Sequence, residues 1–183
     1  EEVTIPASVT EIGAKAFAII TTWNSRLTKV VLPDGLTTIG DEAFDSCRAL
    51  AEIAIPATVT SIGESAFSSC SALKCITIPD GVTSIGESAF SGSGLESITI
   101  PDSVTSIGRS AFSHCSSLTS ITIPNSVTSI DDSAFSGTSI TSITIPDSVV
   151  KIGQHVFWNC KKLESVTIGK GVREIDLTLF DNW

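Results

Sequence analysis

One motif, Ile-x-Ile-Pro-x-x-Val-x-x-Ile-Gly-x-x-Ala-Phe, recurs along this chain and decides what it can become. The proline stands at Pro6, Pro33, Pro56, Pro79, Pro101, Pro124 and Pro146, with Gly169 in the eighth copy. The phenylalanine stands at Phe17, Phe44, Phe67, Phe90, Phe112, Phe135, Phe157 and Phe180. Both series advance by 27, 23, 23, 22, 23, 22 and 23 residues. A fixed period of about 20–50 residues belongs to a solenoid, a propeller or an array. A unit this short cannot bury its own apolar face, so neighbouring copies must stack.

A single copy has a physical order. Ile76, Thr77 and Ile78 alternate apolar and polar, the period of a half-buried strand. Pro79 has no N–H and ends the pairing. Asp80-Gly81 is turn chemistry. Val82 and Ile85 return to the interior, and Gly86 suits a bend at positive φ. Glu87-Ser88-Ala89-Phe90 fits a short helical turn that points Ala89 and Phe90 inward. Stacking turns these positions into columns. One runs Val9, Leu36, Val59, Val82, Val104, Val127, Val149, Val172, and another runs Ile12, Ile39, Ile62, Ile85, Ile107, Ile130, Ile152, Ile175. The phenylalanines form a spine.

Composition sets the outer limits. The chain has 183 residues, is 42% hydrophobic and carries a net charge of -9. That length and apolar content suffice for one sizeable core. A basic footprint, which nucleic acid requires, is lacking. No apolar run approaches the roughly 20 residues of a bilayer span. Neither nucleic-acid binding nor membrane insertion is expected. Serine and threonine, 28 and 21 residues, give a hydroxyl-rich surface.

The fuller motif, Leu-x-x-Ile-x-Ile-Pro-x-x-Val-x-x-Ile-Gly-x-x-Ala-Phe-x-x-Cys-x-x-Leu, is clear from Leu50 to Leu73 and from Leu95 to Leu118. It resembles the BspA-like, Treponema pallidum-type leucine-rich repeat, over essentially the whole chain. The resemblance implies an α/β solenoid: a right-handed superhelix of about eight 22–23-residue repeats. One parallel sheet would line the concave face, with short strands or helical turns on the convex side. It also implies a surface or secreted microbial protein, since many members are regarded as adhesins for host matrix proteins or other microbes. The motif residues themselves are core residues, so none carries over as a binding residue.

Departures from the pattern bear on organisation. Two copies are one residue short after Phe and lack the cysteine: Phe90-Ser-Gly-Ser-Gly-Leu95 and Phe135-Ser-Gly-Thr-Ser-Ile140. The first copy has four extra residues before Leu27, and the last has Gly169 and Leu179 in place of Pro and Ala. Neither end has a polar cap, and an uncapped solenoid exposes its apolar stack. Residues 1–183 are therefore expected to be a single solenoid domain, a piece of a longer surface protein, with ends open to self-association.

Cys47, Cys70, Cys115 and Cys160 stand three residues after Phe, an inward position that suits small buried hydrophobes. Cys47 and Cys70 lie on adjacent turns, within disulfide range. The other cysteines of the column are two turns apart, and a column does not converge as zinc ligands must. Cys75 sits beside the strand, facing outward, where other copies carry Glu52, Ser97, Ser120, Ser142 and Ser165. His114 adjoins Cys115, but neighbouring residues point in different directions, so no base stands beside a nucleophile. No enzymatic activity, cofactor or metal is expected.

Three surfaces remain. The strand face presents Thr4, Val31, Ala54, Thr77, Thr99, Thr122, Thr144 and Thr167 beside the serine series. The turn after proline presents Asp34, Asp80, Asp102, Asn125 and Asp147, which the Pro-Asp-Gly and Pro-Asp-Ser turns explain more simply than calcium does. Trp23, Trp158 and Trp183 lie off the core columns, as loop anchors or as covers for the ends. The candidate protein-binding residues are Thr77, Ser97, Thr99, Ser120, Thr122, Ser142, Thr144, Trp23 and Trp158. The expected partner is a protein, such as a host extracellular-matrix protein or another cell-surface protein. The competing expectation is a structural spacer or assembly unit with no ligand of its own.

Overall fold

A computed structural model describes residues 1–18 and 26–180. Strands recur twice per coil and pair only in parallel. The first series comprises β1 (Glu2–Thr4), β3 (Lys29–Val31), β5 (Glu52–Ala54), β10 (Ser142–Ile145) and β12 (Ser165–Ile168). Between β5 and β10 the same positions appear as bridges, Thr77 to Thr99 to Thr122. Register keeps like on like: Thr4 pairs with Val31, Val31 with Ala54, and Thr144 with Thr167. From the first of these positions to the last the chain makes about seven turns, where about eight repeats were expected.

The second series is a ladder of two-residue strands: β2 (Glu11–Ile12), β4 (Thr38–Ile39), β6 (Ser61–Ile62), β7 (Ser84–Ile85), β8 (Ser106–Ile107), β9 (Ser129–Ile130) and β11 (Lys151–Ile152). Its isoleucines are the second core column. A tight turn joins the two series, in which the N–H of Val82 donates to the carbonyl of Pro79 at 3.0 Å and that of Val127 to Pro124 at 3.1 Å.

The segment through Ala-Phe is no helix. Residues at positive φ alternate through it: Ser88 at 53° and Gly92 at 65° on one coil, Ser110 at 52° and His114 at 58° on the next. This alternation turns every second N–H along the solenoid axis. Ser88 donates to Arg109 at 2.8 Å, Phe90 to Ala111 at 2.9 Å and Gly92 to Ser113 at 2.7 Å. The segment is thus a third set of bonds between coils, and those bonds offset the cost of the left-handed residues.

The bend expected at Gly86 is displaced by two residues, to Ser88. The glycine before it has another role in several coils. A Cβ on Gly108 would stand 2.8 Å from the carbonyl oxygen of Ile85, so there the coils approach too closely for a side chain.

The core is one continuous cluster from Ile12 to Leu179. Eight phenylalanine rings stack along it, with centroids 5.1 Å apart at Phe17–Phe44 and 6.1 Å at Phe135–Phe157. The ends are less covered: Phe17, Val172 and Phe180 are half-buried, and Ile175, expected inward, is 50% exposed. No α-helix occurs among the described residues; Leu177–Phe180 is a 3-10 turn.

Candidate functional site

Alternation along each first-series strand sends Ile or Val into the core and the residues on either side outward. Ile121 and Ile143 are buried, whereas Ser120, Thr122, Ser142 and Thr144 are exposed. Coil stacking repeats this pair, so the strand face from Ser97 to Thr167 is a grid two hydroxyls wide and four coils long. A groove of about 960 Å³ runs over it, and its lining includes Thr99, Ser120, Thr122, Ser142, Thr144 and Thr167. The expected residues Thr77 and Ser97 lie on the same face but outside the groove lining. Asp102 and Asn125 enter the groove from the turn after proline, a meeting of the two surfaces that residue spacing alone does not place.

The hydroxyls of the serines that follow the proline turn are engaged between coils. Ser103, Ser126 and Ser148 donate to the carbonyls of Val82, Val104 and Val127, each at 2.7 Å. Those of the strand-face grid form no such bond among the described residues and point to solvent.

Towards the N-terminus the same face changes character. Glu2, Lys29 and Glu52 replace the serines and form a ladder of ion pairs, Lys29 lying 3.7 Å from each carboxylate. Val31 and Ala54 replace the threonines, and a smaller groove of about 320 Å³ crosses them and reaches Cys75. The face is thus divided into an apolar, charged half and a hydroxyl half. In the next coil the ammonium of Lys74 bonds the carboxylate of Glu96 at 2.8 Å, which raises the Lys74 pKa.

In the aspartate row the side-chain bond is not to the local backbone: Asp147 accepts the N–H of Lys170 in the next coil at 2.7 Å. Among the described residues no group of three or more His, Cys, Asp or Glu could hold a metal ion. Of the tryptophan candidates, Trp158 is not brought to this face. Trp158 is half-buried on the segment after Phe157, where its carbonyl accepts the N–H of Gly137 at 2.8 Å. Trp23 and Trp183 lie outside the described residues.

The inward cysteines are buried and free, and Cys75 is exposed. Each buried thiol donates to the phenylalanine carbonyl of the preceding coil: Cys47 to Phe17, Cys70 to Phe44, Cys115 to Phe90 and Cys160 to Phe135, at 3.0–3.2 Å. The two short copies do not leave this position empty. Ser93 and Thr138 fill it, both buried, with their hydroxyls 3.3 Å and 3.4 Å from the sulfurs of Cys115 and Cys160. Burial, together with the Asp45 charge, pushes the Cys47 thiol up to about 12, and burial pushes Cys115 up to about 11. His114 is exposed beside the buried Cys115, so the two form no nucleophile–base pair.

The repeat matches the BspA type leucine rich repeat region, in six copies, over residues 1–117 and 84–183. The chain belongs to the BspA-type leucine-rich repeat family. Solved structures of similar proteins agree. A leucine rich cell surface protein of Faecalibacterium prausnitzii is 37% identical, with a TM-score of 0.84 over 94% of this chain and 48% of its own. A leucine-rich repeat protein of Bacteroides ovatus is 32% identical, with a TM-score of 0.73 over 93% and 53%. The T. pallidum leucine rich repeat protein is 30% identical, with a TM-score of 0.79 over 89% and 78%. The chain spans about half the length of the first two. No curated protein matches it. A BspA-type solenoid is consistent with a protein-interaction module, and no helix among the described residues is long and apolar enough to cross a membrane.

Proposed function

We propose that this BspA-type solenoid is a protein-binding, adhesive module of a microbial cell-surface or secreted protein. Its partner, a host matrix protein or another cell-surface protein, docks along the strand face, centred on Thr99, Ser120, Thr122, Ser142 and Thr144. The observation that carries this reading is the contrast among hydroxyls. The turn serines Ser103, Ser126 and Ser148 are spent on joining coils, whereas the continuous grid under the groove keeps its donors and acceptors for an outside partner. A hydroxyl donates and accepts, so such a face matches polar partners of mixed chemistry. The surface location draws support from the Faecalibacterium relative, itself a cell surface protein. The alternative, a spacer or assembly unit, draws support from the longer relatives of which this chain spans half.

The test is a binding series on immobilised fibronectin and fibrinogen, with solution mass measured in parallel. Saturable binding that Thr99→Arg and Thr122→Arg abolish, with the fold intact, is the expected result. No binding by a clean monomer overturns the adhesive reading. No binding by a self-associated species replaces it with the assembly role.

A further inference from the structure

The column three residues after phenylalanine runs Cys47, Cys70, Ser93, Cys115, Thr138, Cys160, one residue per coil. Only at Cys47 and Cys70 do two sulfurs occupy successive coils; a hydroxyl separates every other pair. The carbonyl of Phe44 receives both groups, the N–H of Cys47 at 3.1 Å and the thiol of Cys70 at 3.2 Å. Cys70 therefore leans toward the Cys47 coil, as Cys115 leans toward Ser93 and Cys160 toward Thr138. Nearby bonds hold the coils in register, Phe44 donating to Ala66 and Ser46 to Ser68, each at 2.8 Å. The rings of Phe44 and Phe67 are 5.3 Å apart. Parallel neighbours spaced at about 4.8 Å fall inside the Cα separation of about 4.4–6.8 Å that a disulfide requires.

We propose that Cys47 and Cys70 are an oxidisable pair that closes into a disulfide between the second and third coils when the protein folds in the presence of a disulfide oxidant. One thiol, as thiolate, attacks the oxidant's S–S bond and releases one oxidant thiolate. The second then attacks the protein-bound sulfur and releases the other. One S–S bond forms and one breaks, two electrons pass to the oxidant, and the two thiol protons end on its two thiols. Both sulfurs are fully buried in the finished solenoid, so exchange belongs to the folding chain, before the coils close over them.

The test refolds the full chain from urea in mixed oxidised and reduced glutathione, then alkylates it in denaturant. The chain has five cysteines, so joining one pair leaves three to alkylate. The expected product carries three labels, is two hydrogens lighter before labelling, and yields one cross-linked peptide containing Cys47 and Cys70. Cys70→Ser abolishes the link; serine is compatible with the column, since Ser93 already occupies it. Five labels after refolding, or a link that involves Cys75, Cys115 or Cys160, overturns the proposal.

Discussion

The rings of Phe90 and Phe112 lie parallel, 5.6 Å apart and inclined by 5°, at the centre of a stack that runs the length of the solenoid. Phe112 is fully buried, with Phe135 on its other side at 5.7 Å. Phe112→Ala removes contacts to both neighbours and leaves a cavity that flanking coils cannot collapse into. The expected loss is about 3–5 kcal/mol in a urea titration. Phe17→Ala, at a half-buried end with Phe44 as its stacking partner, should cost clearly less. Equal losses at the two sites would show that the stack is not the continuous spine described.

The hydroxyl of Ser126 donates to the carbonyl of Val104 in the preceding coil at 2.7 Å. Ser126→Ala leaves that partly buried carbonyl without this partner, at an expected cost of about 1 kcal/mol. The same change at Ser120, on the exposed grid, should alter stability by less than about 0.5 kcal/mol. Thermal or urea unfolding of the two variants separates structural hydroxyls from those offered to a partner. An identical loss in both would remove the distinction on which the proposed binding face rests.

The sequence carried the coil because spacing fixes it: two markers with identical steps place each residue in its column, and the columns decide what is buried. It carried less of the backbone. The glycine before Ala-Phe pointed to a bend at that residue, yet the left-handed turn falls on Ser88, Ser110 and their equivalents. Nothing in serine advertises positive φ; inter-coil hydrogen bonds impose it. The missing cysteines at Ser93 and Thr138 were misleading in the same way, since a buried hydroxyl fills the place of the thiol. On the strand face, residue type could name the hydroxyl columns, but the groove and the entry of Asp102 and Asn125 depend on how coils lie against one another.

Glycine substitutions distinguish close approach from backbone freedom. At Gly108 an added Cβ would meet Ile85 oxygen at 2.8 Å and Gly86 carbon at 2.9 Å, both backbone atoms that cannot swing aside. Gly108→Ala is therefore expected to cost about 1–3 kcal/mol. At Gly35 nothing lies within 4 Å of the added carbon. Gly35→Ala should be neutral, or stabilising by up to about 1 kcal/mol through the unfolded chain. Circular dichroism melts of both variants give the comparison, and a destabilised Gly35→Ala with an unaffected Gly108→Ala would reverse the assignment.

The reduced protein should lose stability as pH rises above the ordinary thiol range. In the unfolded chain cysteines release their protons near pH 8.5. In the folded protein burial holds Cys115 protonated up to about 11, and burial with the Asp45 charge holds Cys47 up to about 12. Below both values each state keeps its protons and the thiols make no difference. Between them the unfolded state binds fewer protons, so stability falls with pH, by roughly 1.4 kcal/mol per unit for each such thiol. The chain has no tyrosine to add a phenolic titration there. Urea midpoints measured from pH 8 to pH 10 under reducing conditions should decline, and Cys115→Ser should remove one thiol's share of the slope. At pH 8 a thiol reagent should label Cys75 rapidly and the four buried cysteines only as the coils open. A flat stability profile with uniform fast labelling would mean that the column is open to solvent rather than sealed between the stacked rings and the turns.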